Sequence, residues 1–347
     1  MQMKFKLFVL LISLPIVGAA DQNYEFHGLQ LSASGFAFYT NTSNERIVHD
    51  SYDGVVNLSL SSKYGYISSQ VSANAFNHIR RLQFTLPIIT EQLDQVELSV
   101  GRLTTPIGLI NTSSSSPQLS GVLMLPLSTY DPRRYQNLPD ITDGAQLTYT
   151  KQITDTNIKL KVYGGRQLVD DPVFDIYGSN FSFKADSETL IGTSIKITHD
   201  DLTLKYTYTQ TMGTITSTEP PNIINYINPI ATQGIHFLGL QYNYDRLRLQ
   251  SEATYRKLNT VTDEMGVYLK ADYNIQDKFC VYTGYSYGTR AEPASTVNDA
   301  FVGIHNTFDK ITVALEYHYT QTNNWFYEYN KPNQNTSTLL STIVYSF

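Results

Sequence analysis

The chain has one cysteine in 347 residues. Cys280 has no partner for an internal disulfide, so a disulfide-stapled scaffold is excluded. Seven histidines beside that single thiol offer little to a metal cluster, and no metal or other cofactor is expected. Charge is scarce at 16% of residues, and its balance is acidic, with a net charge of −6 and a pI near 5.6. A nucleic-acid footprint needs the opposite sign. Mean hydropathy is −0.24, too polar for a bundle of membrane helices. The sequence also lacks G-x-S-x-G and H-E-x-x-H, and no nucleophile, base and orienting group stand at a readable spacing. An enzyme is not expected.

Aromatic and small polar residues are what the chain has in quantity. It carries 26 Tyr and 16 Phe. That is too many for disorder, and with the abundance of Thr, Ser and Asn it suits strands. Residues 1–20 read as an export signal. Lys4 and Lys6 make a basic start, Leu7–Val17 is an apolar run of eleven residues, and Gly18 and Ala20 stand at −3 and −1 before Asp21. A membrane helix needs about 20 apolar residues, and no later stretch approaches that length. Cleavage after Ala20 removes two lysines and takes the net charge from −6 to −8. An exported chain without a membrane helix is periplasmic, secreted or a membrane β-barrel.

Alternation decides among these. In Ile311–Thr320, the residues Ile311, Val313, Leu315, Tyr317 and Tyr319 share one face, and Thr312, Ala314, Glu316, His318 and Thr320 share the other. Leu247–Arg256 and Val267–Asn274 alternate in the same way. Short turns join many such segments, at Thr154–Asn157, His199–Asp201, Asp245–Arg246, Gln276–Lys278 and Asp309–Lys310. Longer polar loops alternate with them, at 170–187, 214–233, 260–264, 291–298 and 325–336. Tight turns on one side and long loops on the other are the grammar of a transmembrane barrel. Sixteen strands are expected near 29–40, 53–63, 64–76, 80–90, 95–104, 144–153, 157–169, 188–199, 202–213, 234–245, 247–259, 265–276, 279–290, 299–308, 311–324 and 337–347. Pro87 demands a bulge or a strand end in the fourth. Two aromatic belts are expected, with Tyr244, Tyr273, Phe279, Phe308 and Phe347 beside the turns or the terminus and Tyr208, Tyr255, Tyr285 and Tyr319 toward the loops. The fold expected is all-β, a 16-stranded antiparallel transmembrane barrel formed by 21–347 as one domain. A soluble barrel of that girth would expose its apolar face to water.

The last ten residues, TLLSTIVYSF, resemble the terminal strand of Gram-negative outer-membrane proteins, with Phe347 at the end and Tyr345 two before it. In that family the aromatic terminus is an assembly signal, which the resemblance assigns to Phe347 and Tyr345. Forty residues, 104–143, separate the fifth strand from the sixth. A loop that long needs a reason. The sequence resembles sixteen-stranded trimeric porins of the bacterial outer membrane, in which the loop between strands five and six folds inward and narrows the lumen. Gly101–Gly108, with LPLSTYDPRRYQNLP at 125–139, further resembles DcaP-like porins. The resemblance implies a homotrimer in outer-membrane lipid that passes small hydrophilic solutes passively.

Charge on inward positions refines that expectation. Each strand's own alternation points Lys159, Lys161, Lys196, Lys205, Arg248, Arg256 and Lys270 inward, together with Glu97, Glu252, Asp272 and Glu316. Basic residues outnumber acidic ones on the wall of an acidic protein, and fixed charge in a narrow pore focuses field lines. A mild anion preference is expected. Within the long loop, Asp131, Arg133 and Arg134 are the candidates for the constriction. Alternatives from the same residues are a channel dedicated to dicarboxylates or phosphate, or a surface barrel acting as adhesin or receptor. Arg102 and Arg166 have outward parity, which either a bulge at Gly101 and Gly164-Gly165 or a place above the hydrocarbon would explain.

Overall fold

The computed structural model describes residues 24–26, 29–44, 48–62, 65–72, 79–91, 93–109, 141–167, 173–176, 179–219, 233–258, 262–290, 295–323 and 334–346. Its strands are β1 (Tyr24–Phe26), β2 (Leu29–Asn44), β3 (Val48–Ser62), β4 (Gly65–Ser72), β5 (Ile79–Thr90), β6 (Asp94–Thr104), β7 (Ile141–Ile153), β8 (Thr156–Gln167), β9 (Val173–Ile176), β10 (Ser179–His199), β11 (Leu202–Glu219), β12 (Gln233–Tyr244), β13 (Leu247–Leu258), β14 (Thr262–Gln276), β15 (Phe279–Arg290), β16 (Ser295–Phe308), β17 (Ile311–Asn323) and β18 (Gln334–Ser346). All belong to one antiparallel sheet, and neighbours in sequence are mostly neighbours in space. The last strand, β18, pairs with β2, and β8 pairs with β10 across the short β9 hairpin. Among the described residues no helix is long and apolar enough to cross a membrane.

Polarity is inverted relative to a water-soluble protein. On β17, Leu315 is 41% exposed, whereas its neighbour Glu316 is fully buried. The same alternation places Leu204, Leu240, Leu249, Leu269, Val302 and Ile343 on an exposed outer face. Thr, Lys, Glu, Asp and Arg side chains occupy the buried inner face of the same strands. A period-2 strand sorts its side chains by parity, and only a lipid surround favours apolar residues on the outside. Tyr244, Tyr273 and Phe308 stand exposed beside the short turns, and Tyr285 and Tyr319 toward the opposite rim. These are the two aromatic levels expected.

The turns explain the tight hairpins. Thr154, Asp200, Asp245 and Asp309 each lead a two-residue turn with φ of 46 to 51°. Asp tolerates this left-handed region because its short side chain bonds locally. The register slips at Pro87, as a residue without an N–H requires. All five expected loops are partly strand, 170–187 and 214–233 most of all. β9 and the start of β10 occupy much of 170–187, and β11 runs on to Glu219. These extensions pair with each other, so their polar sequence carries ladder hydrogen bonds above the apolar band.

Candidate functional site

The inner face is built by register. Lys159 on β8 is the direct partner of Lys196 on β10, which is the direct partner of Lys205 on β11. Lys161 lies two residues along from Lys159, opposite Ser194 and Thr148. Like charges directly opposite one another destabilise a sheet. Lys159, Lys161 and Lys196 nevertheless make no ion pair among the described residues, and Glu97 is the acid that acts on Lys161 at longer range. Four lysines thus share one patch of three adjacent strands.

Lys205 is engaged differently. After β6 the chain turns inward, and residues 105–109 lie against β11, β12 and β13. Thr207 Oγ1 donates to the Pro106 carbonyl at 3.0 Å, Lys205 Nζ donates to the Gly108 carbonyl, and the Leu109 N–H donates to Glu252. Ile107 is fully buried in a cluster with Ile235, Phe237, Tyr268, Tyr282 and Phe301. Gly239 leaves the space that the Leu109 side chain fills. The first five residues of the long connection therefore sit on the inner face across from their own strand. Residues 110–140, with the constriction candidates Asp131, Arg133 and Arg134, lie outside the described residues, as does Phe347. Tyr345 is half-buried on β18 and pairs with Ile311 and Ala37.

From β13 to β17 the inner face is a network of paired charges. Arg248 donates to Asp272 at 2.8 Å, and Asp272 also meets Lys270. Arg256 and Glu264 form a buried pair at 3.3 Å, with Gln233 accepting from the same guanidinium. His318 lies between two carboxylates, Nδ1 at 2.9 Å from Asp299 and Nε2 at 2.6 Å from Glu316. Thr320 donates to Asp299 as well. A ring donating at both nitrogens satisfies both carboxylates at once. Of the residues read as lining, Lys161 belongs to the lysine patch, and Lys205, Arg248, Arg256 and Glu316 are each engaged by a named partner.

Several contributors escaped the alternation argument. Pro106, Ile107 and Gly108 belong to no strand, and they were marked only as part of the connection 104–143 and of the Gly101–Gly108 stretch, with no role assigned. Glu264 lies in the segment 260–264 that was read as loop, and Asp299 is the first residue of an expected strand, where its inward parity was not singled out. Among the described residues no group of three or more His, Cys, Asp or Glu is placed to hold a metal ion. The register runs unbroken through Gly101, Gly164 and Gly165, so no bulge turns Arg102 or Arg166 inward. Both remain on the outer face, at the loop end of their strands.

An apolar outer face, a charged inner face and an inbound chain segment define a membrane-spanning β-protein with a polar interior. No family model matches the chain, and no curated protein is similar to it in sequence. Solved structures are similar over nearly the whole chain. OmpT of Vibrio cholerae aligns with 94% of this chain and all of its own, at 11% identity and a TM-score of 0.62. An anion-selective porin from Comamonas acidovorans covers 92% of this chain with all of its own, at 12% identity and 0.61. The outer membrane channel DcaP of Acinetobacter baumannii covers 93% with 99% of its own, at 9% identity and 0.56. The fold is that of the Gram-negative outer-membrane porins.

Proposed function

We propose that residues 21–347 form a single outer-membrane porin domain, a water-filled channel for passive diffusion of small hydrophilic solutes with a mild anion preference. The barrel would have sixteen staves, β2–β8 and β10–β18, and the β18–β2 and β8–β10 pairings support that closure. The connection 104–143 would form the constriction, and the inward course of residues 105–109 supports this. The lysine patch carries the anion preference. Three of its amines stand close together without acidic partners among the described residues, and a potential of one sign in a low-dielectric tube raises the local concentration of the opposite ion.

Assembly as a homotrimer fits small outward positions in the sequence, Ala33, Gly35 and Ala37, which favour close packing of subunits. OmpT of Vibrio cholerae is described in a trimer form.

Reversal potential in a salt gradient across a planar bilayer tests the reading. Anion preference is expected. It should fall when Lys159 and Lys196 are both changed to Gln, and again for Arg133→Ala with Arg134→Ala if the long connection brings those guanidinium groups to the pore. Block of the current by a dicarboxylate or by phosphate alone would favour a solute-specific channel, which the same lysines would serve. Absence of conductance steps from folded protein would overturn the channel reading.

A further inference from the structure

One register row on the inner face runs through Lys159, Lys196, Lys205, Gly239 and Glu252, on β8, β10, β11, β12 and β13. Strands lie about 4.8 Å apart, so the Lys205 backbone is one spacing from Lys196 and about 10 Å from Glu252. The Leu109 side chain fills the saddle at Gly239 between amine and carboxylate. The peptide unit that joins Gly108 to Leu109 is held at both ends, its carbonyl by Lys205 and its N–H by Glu252. Gly108 has a φ of 58°, a left-handed turn open to glycine. One row thus carries a cluster of amines and, directly beside it, the grip on the inbound segment.

Lys205 stands between two fields. Glu252 draws its amine toward the segment, and Lys161 and Lys196 repel it in the same direction. Lys159 and Lys161 are half-buried, and Lys196 is exposed on the inner face. A multiply charged anion seated on those three amines reverses the repulsion. Its oxygens also make a stronger acceptor for an ammonium than a carbonyl does, because the bond is then charged at both ends. The flexible four-carbon stem of Lys205 spans the single strand spacing to Lys196. The amine can therefore serve the Gly108 carbonyl or the anion, and not both.

We propose that Lys159, Lys161 and Lys196 bind a diphosphate-type oxyanion, and that Lys205 leaves Gly108 to join them, so that the bound anion releases residues 105–109. Lys159 and Lys196 are about 5 Å apart at the backbone, and Lys161 lies about 7 Å further along its strand. Two linked phosphates spread several charged oxygens over a similar span. Ammonium groups are point charges without a planar fork, which suits a tetrahedral oxyanion more than a flat carboxylate. Departure of Lys205 leaves the Gly108 carbonyl without its donor, and that destabilises the seated position of the segment. The anion shifts the equilibrium because the released state offers it a fourth amine. The inference rests on the channel reading above and adds regulation by a permeant anion to it.

Ile107 is fully buried, so Ile107→Cys in a Cys280→Ser background reports whether the segment is seated. A water-soluble methanethiosulfonate should react slowly in potassium chloride. In inorganic diphosphate at matched ionic strength it should react at least about fivefold faster, the lower end of ordinary coupling between sites. Lys159→Gln with Lys196→Gln should stay slow in both salts, and Lys205→Met should be fast in both. Single-channel current of the chain without the reporter is read alongside. Diphosphate should add switching between conductance levels in the parent protein and none in the lysine variants. Should Lys205→Met not fold, Lys205→Gln answers the same question, since an uncharged side chain is not drawn to the anion. A labelling rate and a current that ignore diphosphate would overturn the proposal. So would diphosphate-dependent switching that survives in the Lys205 variant, which marks plain block of the pore. Conductance in potassium chloride on the same preparations separates failure of this coupling from failure of the channel reading.

Discussion

Lys205 donates to the carbonyl of Gly108, 97 residues earlier in the chain. With Glu252, two strands over on β13, accepting from the next N–H, that of Leu109, the pair grips consecutive backbone groups of the inbound segment. An amine and one carboxylate oxygen buried this way take their hydrogen bonds from the segment, and each charge lies in the other's field. Lys205→Met and Glu252→Gln should each free the segment. The expected result is noisier single-channel current with a change in mean conductance, and unaltered gel mobility of the folded barrel. A quiet, unchanged current in both variants would show that the clasp does not hold the segment in place.

The Tyr163 ring lies over Gly192, its direct partner between β8 and β10. A Cβ at Gly192 would come within 2.4 Å of that ring. Tyr282 covers Gly303 in the same manner between β15 and β16. Gly192→Ala should lower stability by about 1–3 kcal/mol through overpacking. Pairing it with Tyr163→Ala should remove most of the added penalty, since the clash needs both partners. The temperature at which the folded form is lost on a gel gives the comparison, and additive effects of the two changes would contradict the contact.

Arg256 and Glu264 are both nearly inaccessible, at 2% and 4%. Breaking such a pair from one side leaves a buried charge, at a loss of about 3–5 kcal/mol. Glu264→Gln should therefore be much worse than Arg256→Met combined with Glu264→Leu. Urea unfolding of barrels refolded in detergent would measure both. Equal loss in the single and the double variant would mean that water already screens the pair.

Thr154 leads its turn with a φ of 48°, whereas three of the other turns begin with Asp. A β-branched residue is strained there. Thr154→Asn should raise the unfolding temperature, with a gain of about 1 kcal/mol, and Asp245→Val should lower it by a similar amount. Opposite signs in the two variants are the outcome to check.

Strand positions and faces were legible from residues alone because parity is a local property. Ile311–Thr320 alternates over its whole length, and one lipid-facing and one polar-facing side follow from that pattern without knowledge of any partner. The same holds for the turns, where Asp245-Arg246 and Asp309-Lys310 mark the hairpins.

Contacts around the sheet were not legible, because they depend on which strands curl to face one another. Alternation gave His318 an inward place on the wall and no partner, and only register brings Asp299 of the preceding strand onto its ring. Lys205 looked like free pore charge until the Gly108 carbonyl came across the interior to meet it. Arg102 and Arg166 show the reverse case. Their outward parity was correct, and the unbroken register leaves them at the rim. Which face a side chain takes was set by its own strand, and what it meets there was decided by the register of neighbouring strands and by the inbound segment laid across them.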